Sequence, residues 1–206
     1  MKSVSWDGRA VTPSKIVCIG RNYTDHIKEL ENQISQEPVI FIKPNSAISD
    51  KVLSSTTEIL HYEAEISFLV SAGELKAVAF GLDLTRREIQ YSLMERQMPW
   101  ERDKAFANSA VFSDFVSFDG DIKDLRMKFY INDRLVQHGS YELMLNKPEQ
   151  LLDEAKSFLT FEDGDVLMSG TPKGVGRVRP GDNYLGKIYD KEKLIVEGSW
   201  VVDAQV

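Results

Sequence analysis

The chain of 206 residues is poor in the residue types that mark several classes of function. It has one cysteine, so no internal disulfide framework can form, and Cys18 lies in the apolar run KIVCIG, where a thiol is ordinarily a small core side chain. It has three histidines and no HExxH spacing, which removes the usual zinc signatures. Positive charge is scarce. Lys and Arg number 25 against 32 Asp and Glu, a formal charge of −7, and no basic stripe is present to neutralise phosphates, which argues against a nucleic-acid partner. No apolar run approaches the ~18 residues that a membrane span requires. The stretch MKSVSWDGRAVTP has neither the apolar core of a signal peptide nor the arginine- and serine-rich character of a transit segment. The expectation is a cytoplasmic protein with a small-molecule partner. With 42% apolar and 28% charged residues, and with no repeat or low-complexity linker, residues 1–206 read as one globular domain.

Short β-type segments are abundant: KIVCIG, PVIFIK, YEAEISFLV, KAVAFGLDL, AVFSDFVSF, LRMKFYIN, RLVQHG, DVLMSG and KLIVEGSWVVDAQ. Many short strands predict a mostly antiparallel β architecture. Hairpin turns are expected at Asn132-Asp133 and at YDKEK. Helical spacing appears in TDHIKELEN, in LTRREIQYSLMERQ from residue 84, and in KPEQLLDEAKSFLT, where Pro148 suits a first helical position. The fold class is α+β, mostly β.

Chemistry begins with HYEAEISFLV. Strand alternation puts Tyr62, Ala64, Ile66, Phe68 and Val70 on one side and His61, Glu63, Glu65 and Ser67 on the other. The two glutamates either face solvent or converge, and converging carboxylates repel unless one is protonated or a cation lies between them. Asp83 ends KAVAFGLDLT and is either a third acidic ligand or an N-cap for the helix that follows. Three carboxylates without a thiolate suit a hard cation such as Mg²⁺ or Mn²⁺. In GRNYTDHIKEL, His26 and Glu29 share a helix face, as a general base and its orienting carboxylate would. SGTPKGVGRVRPGD is not a Walker loop; its backbone N–H groups and Thr171 either hold an anion or form an ordinary turn. Lys104 in WERDKAFANS could present a cation to a developing oxyanion. His61 reads as a site wall or a satisfied strand residue, and His138 has no acidic partner within its motif.

The order GRNYTDHIKE, HYEAE, GLDLT with RREIQ, DKAF, and SGTPKGVG with PGD resembles the fumarylacetoacetate hydrolase family, above all its short acylpyruvate hydrolase and oxaloacetate decarboxylase-like branch. The likeness runs from about residue 15 to 190. It implies a mixed β-sandwich roll with a few covering helices, usually a homodimer. It implies Glu63, Glu65 and Asp83 as ligands of one Mg²⁺ or Mn²⁺, His26 and Glu29 as a catalytic dyad on a mobile lid, and Lys104 beside them. It places Arg21, Gln90, Gly170 and Thr171 around a small 2-oxo acid substrate. One departure is QHGSYELML, where Tyr141 stands at a position usually occupied by threonine. The implied activity is hydrolysis of the C–C bond of an acylpyruvate or fumarylpyruvate, giving pyruvate and a carboxylic acid. The alternatives are an oxaloacetate decarboxylase, a 2-hydroxyhepta-2,4-diene-1,7-dioate isomerase-type enzyme, and a non-enzymatic calcium-stabilised β domain.

Overall fold

The computed structural model describes residues 1–30 and 35–204. The sequence pattern KIVCIG explains the central layer. Val17 and Ile19 face one core, Ile16 and Cys18 the other, so strand Lys15–Gly20 is buried on both sides. It belongs to an eight-stranded mixed sheet whose order is Val39–Pro44, Lys15–Gly20, Val166–Met168, Ala64–Ser71, Glu74–Asp83, Ala110–Phe112 and Ile48–Ser49, with Val116–Ser117 also pairing to Glu74–Asp83. Two of its pairings are parallel, Val166–Met168 with Lys15–Gly20 and Ala110–Phe112 with Ile48–Ser49; the others are antiparallel. A four-stranded antiparallel sheet, ordered Arg134–Ser140, Leu125–Ile131, Asn183–Asp190 and Lys193–Val201, packs across it. Phe80 meets Phe129 at 5.4 Å between ring centres, and Tyr62 meets Tyr184 at 5.8 Å. Gly186 is needed at this seam, because a Cβ there would lie 2.3 Å from the Phe80 ring. The N-terminal hairpin Val4–Trp6/Arg9–Val11 covers the opposite face, over Phe115, Leu69 and Met168. A three-stranded sheet of Gly176–Arg177, Leu60–Tyr62 and Thr85–Arg86 closes one end. The fold is thus α+β, mostly β.

Helices α1 (Thr24–Glu29), α2 (Arg87–Glu95), α3 (Glu101–Lys104) and α4 (Pro148–Lys156) lie outside the sheets. Helix α2 starts three residues later than the sequence predicts, since Thr85 and Arg86 pair with His61 and Leu60. Helix α3 was not predicted. Of TDHIKELEN, Glu31 and Asn32 fall outside the described residues, as does Gln205 of the last predicted strand. AVFSDFVSF splits in two because the Phe115 amide turns aside to the Ser5 carbonyl at 2.8 Å. The Asn132-Asp133 hairpin forms as expected, both residues taking the positive φ that such a turn requires. Among the described residues no helix is long and apolar enough to cross a membrane.

Candidate active site

Strand alternation carries Ile66, Phe68 and Val70 into the core between the sheets, and leaves Glu65 on the other face with Ser67. That face is not solvated. Glu65 is 1% exposed, Glu63 5% and Asp83 1%, so the solvated-strand reading of the glutamates fails. The Asp83 amide donates to the Glu63 carbonyl at 2.8 Å, which locks the end of strand Glu74–Asp83 against the glutamates. One oxygen from each of the three carboxylates lies within 4.8 Å of the others. Asp83 does not cap α2, whose first turn begins beyond Arg86 without a side-chain cap.

Three buried cations surround this triad. Lys104 Nζ is 2.7 Å from Glu63 Oε2, from Asp83 Oδ2 and from Thr85 Oγ1, so all three ammonium hydrogens have acceptors. Presenting this cation to a substrate oxyanion requires one of those bonds to be exchanged. Arg87 pairs with Glu63 Oε1, bonds the Gln90 side-chain oxygen, and donates through Nε to His61 Nδ1 at 3.3 Å. Lys43 Nζ stands 2.8 Å from Asp83 Oδ1 and also reaches the Leu84 carbonyl and Ser109 Oγ. Burial pushes the Glu63 carboxyl up, but Lys104 and Arg87 outweigh it and hold Glu63 well below the usual carboxylate range. Burial likewise opposes the charge on Lys104, and Asp83 and Glu63 raise its pKa in spite of it. Burial, then the charges of Asp83 and Glu63, push Glu65 well above that range. His61 is lowered to about 4 by burial and by Arg87, and so is neutral at pH 7.

These residues fit a hard divalent cation. The donor set is oxygen only, the Glu65 charge is under-compensated by the protein's own cations, and Asp83 Oδ1, though close to Lys43, accepts no hydrogen bond of good geometry. Such a cation relieves all of these at once.

The glycine loop holds anions, as one of its two sequence readings expects. Two of these are the protein's own carboxylates: Gly170 N donates to Glu65 Oε2 at 2.7 Å, and Gly174 N to Glu29 Oε1 at 3.0 Å. Thr171 Oγ1 donates to the Ala64 carbonyl at 2.9 Å and accepts from Gln137 at 2.8 Å. Gly170 therefore holds Glu65 and Thr171 the Ala64 carbonyl beside it; like Glu65 and Asp83, neither is part of the lining of the adjoining pocket. That pocket is walled by Arg21, His26, Glu63, Arg87, Gln90 and Lys104, with Trp100 and Met94 toward α2 and α3. His26 is 6% exposed, and its Nδ1 lies 3.1 Å from Glu29 Oε2. Burial raises the Glu29 carboxyl; the bonds from His26 and the Gly174 amide prevail and lower it. Tyr141 sits away from this lining, with the Lys147 ammonium 4.9 Å above its ring. His138 is exposed, and Cys18 is fully buried with its thiol pushed up by burial, a core residue.

Sequence reasoning missed Arg87, Lys43 and Trp100. Arg87 stands four residues after Asp83 and three before Gln90, a spacing that puts it on one helix face with Gln90. Lys43 could have been found as a lone cation inside the apolar strand VIFIKP.

Residues 15–201 match the family described as Fumarylacetoacetate (FAA) hydrolase C-terminal. The chain is 35% identical over 198 residues to oxaloacetate tautomerase YcgM of Escherichia coli, a match covering 86% of this chain and 90% of that protein. It is 33% identical over 184 residues to the mitochondrial oxaloacetate tautomerase FAHD1 of Rattus norvegicus, covering 81% and 83%. The crystal structure of fumarylpyruvate hydrolase from Pseudomonas aeruginosa in complex with Mn²⁺ and pyruvate superposes with a TM-score of 0.87 at 25% identity, over 98% of this chain and 96% of that one. Both sequence relatives carry the name of a tautomerase and not of a C–C hydrolase. Extent and identity together place the chain in the fumarylacetoacetate hydrolase family.

Proposed function

We propose that the chain is a divalent-metal-dependent enzyme that moves protons on a short 2-oxo acid of the oxaloacetate type, interconverting its keto and enol forms. The observation that carries this reading is an oxygen-only triad whose Glu63 lines the same pocket as a buried imidazole held by a carboxylate. The names of the relatives support it over C–C hydrolysis. Glu63, Glu65 and Asp83 would hold Mg²⁺ or Mn²⁺, which when bound supplies Lewis acidity toward a 2-oxo group. With Nδ1–H donated to Glu29, His26 keeps Nε2 as an acceptor. That nitrogen would take the C3 proton of the keto form and deliver it to the 2-oxo oxygen, or take the enol hydroxyl proton and deliver it to C3, so that one proton moves and His26 ends as it began. No carbon–carbon bond breaks. Arg87 and Gln90, bonded to each other on one helix face, shape the wall against which the substrate is oriented.

A second reading rests on the same dyad. A base oriented by a carboxylate can equally take a proton from water, as hydrolysis of a 2,4-dioxo acid requires. The two readings part in one experiment. Chelator-stripped protein, with and without added Mg²⁺ or Mn²⁺, is given enol-oxaloacetate, followed by the decay of its ultraviolet absorbance, and separately acetylpyruvate and fumarylpyruvate, followed by pyruvate release. Metal-dependent tautomerisation without pyruvate release from the dioxo acids is expected, with His26→Ala losing about 10²–10⁴-fold. Pyruvate release as the faster reaction would replace the proposal with the hydrolase, and full activity in stripped protein would remove the metal from either.

A further inference from the structure

Outside the acidic pocket, positive charge gathers at one cleft. Among the described residues the arginine ion pairs are those of Arg86, Arg87 and Arg126. Arg134, Arg177 and Arg179 make none, although the chain has 32 Asp and Glu against 25 Lys and Arg. All three are exposed, and they line a single cleft of about 590 Å³, the size of a small-molecule site, together with Tyr62, Asn132 and Asp182. No residue lines both this cleft and the acidic pocket. Asp182 is the one carboxylate in the lining, and it accepts from Asn132 Nδ2 at 2.8 Å. Three positive charges against one negative leave the lining at +2, an arrangement that repels itself until an anion enters.

The chain builds this wall from two segments distant in sequence. In RVR, Val178 points inward, 3% exposed and with its amide on the Leu60 carbonyl at 2.8 Å, so alternation turns Arg177 and Arg179 to one side. Arg134 follows the Asn132-Asp133 turn, whose two positive φ angles return the chain along strand Leu125–Ile131. Gly176 pairs with Tyr62, and a Cβ there would lie 2.6 Å from the Tyr62 hydroxyl oxygen, so the glycine keeps that hydroxyl's place open. Behind Tyr62 stands an orphan donor. Tyr184 is 1% exposed, and its hydroxyl has no hydrogen-bond partner. Its ring is held edge-on by Phe129 at 5.0 Å and by Tyr62 at 5.8 Å. Burial raises its pKa, Tyr62 and Asp182 add to the rise, and Arg179 opposes it. Those three neighbours all line the cleft, which is where the hydroxyl points. A buried hydroxyl without a partner is costly, and an anion in the cleft gives it an acceptor.

We propose that this cleft binds a small phosphate-bearing ligand, whose phosphoryl oxygens accept from Arg134, Arg177 and Arg179 and from the Tyr184 hydroxyl. Guanidinium forks match phosphate oxygens two at a time, and a lining at +2 suits a dianionic group better than a single carboxylate. One short cleft in a chain of charge −7 is the wrong shape for a nucleic-acid backbone, which needs an extended basic track. The site stands apart from the tautomerase reading, because it uses none of the residues of the acidic pocket.

The test titrates inorganic phosphate, pyrophosphate and malonate by calorimetry into the full chain, stripped of metal so that pyrophosphate has no cation to chelate, at fixed ionic strength. Saturable binding of phosphate or pyrophosphate at one site per chain is expected, with malonate weaker than either. The double change Arg177→Gln/Arg179→Gln should weaken it by about 10- to 100-fold, the size of lost charge-assisted hydrogen bonds, and Tyr184→Phe by about 2- to 10-fold. Arg21→Gln and Glu63→Gln, both in the acidic pocket, should leave it within about 2-fold. Pyrophosphate binding more tightly than phosphate assigns the arginines to a ligand with two phosphoryl groups, and equal affinities assign them to one. The proposal is overturned by the absence of saturable binding, by malonate binding as tightly as phosphate, by an unchanged affinity in the double variant, or by losses in Arg21→Gln or Glu63→Gln that match those of the double variant.

Discussion

Lys104→Met removes the ammonium that stands between Glu63 and Asp83 while keeping an unbranched stem. Each of its two ion contacts is 2.7 Å long. At an effective dielectric of about 20, a unit pair at that range is worth about 6 kcal/mol before desolvation, which takes back several kcal/mol per ion; breaking a buried pair on one side therefore costs about 3–5 kcal/mol. Arg87 remains on Glu63 and Lys43 on Asp83, which puts the expected loss at the lower end, about 3 kcal/mol. In a chain of this length that is about 6–12 °C in Tm. The same deletion leaves the triad more negative, so added Mn²⁺ should raise the Tm of the variant by more than it raises that of the wild type. Thermal melts of chelator-stripped and Mn²⁺-loaded protein, both variants side by side at pH 7, give all four numbers. A stripped variant melting within about 2 °C of the wild type, or equal increments on adding metal, would refute the view that Lys104 compensates these carboxylates.

Two further predictions concern buried carboxyl groups. Both oxygens of Asp103 are buried without a hydrogen bond of good geometry, and burial raises its pKa to about 6. A raised folded pKa means that its contribution to stability is complete below the unfolded value and is lost as pH climbs through about 6. Asp103→Asn should accordingly add up to about 3 kcal/mol at pH 8 and nearly nothing at pH 4, and urea midpoints that differ from wild type equally at both would dismiss it. Asp165 is the opposite case. It accepts from Ser14 N, Ser14 Oγ, Lys15 N and Glu162 N, and pairs with the Lys15 ammonium; burial raises its pKa, but these partners outweigh it and lower the pKa overall. Its contribution is present above the unfolded pKa and disappears as pH falls through the lower folded value. Asp165→Asn should cost about 2–4 kcal/mol at neutral pH, with the gap to wild type closing toward pH 3; a gap that does not depend on pH would point away from the charge.

The Glu63/Glu65 spacing and the His26–Glu29 pair were legible because each depends on short-range spacing that strand and helix periodicity fix, whereas Asp83, at the end of a separate strand, joined them only through the family resemblance. The division of HYEAEISFLV into two faces was legible for the same reason. What covers the second face was not, since burial of Glu65 depends on strands Val166–Met168 and Glu74–Asp83 from far along the chain. Strand Asn183–Asp190 was unreadable locally: NYLGKIYD carries a glycine at its centre that makes sense only with the Phe80 ring beside it. The glycine loop was legible as a donor of N–H groups, but its protein partners Glu65 and Glu29 were not, because they are more than a hundred residues away. Lys43 and Arg87 follow the same rule, their charges acquiring meaning only once Asp83 and Glu63 are beside them.

The loop that holds Glu65 through Gly170 and Glu29 through Gly174 has a consequence for how such a site can diverge. One segment of five residues registers the acidic triad and the imidazole dyad against each other, so a change of loop conformation displaces both together and cannot tune one alone. Trp100 and Met94 touch the pocket from the other side and make no hydrogen bond to that loop among the described residues. Selection for a new substrate can therefore remodel the α2–α3 wall while the distance between His26 and the acidic triad is inherited unchanged, which separates what the site recognises from the groups it brings together.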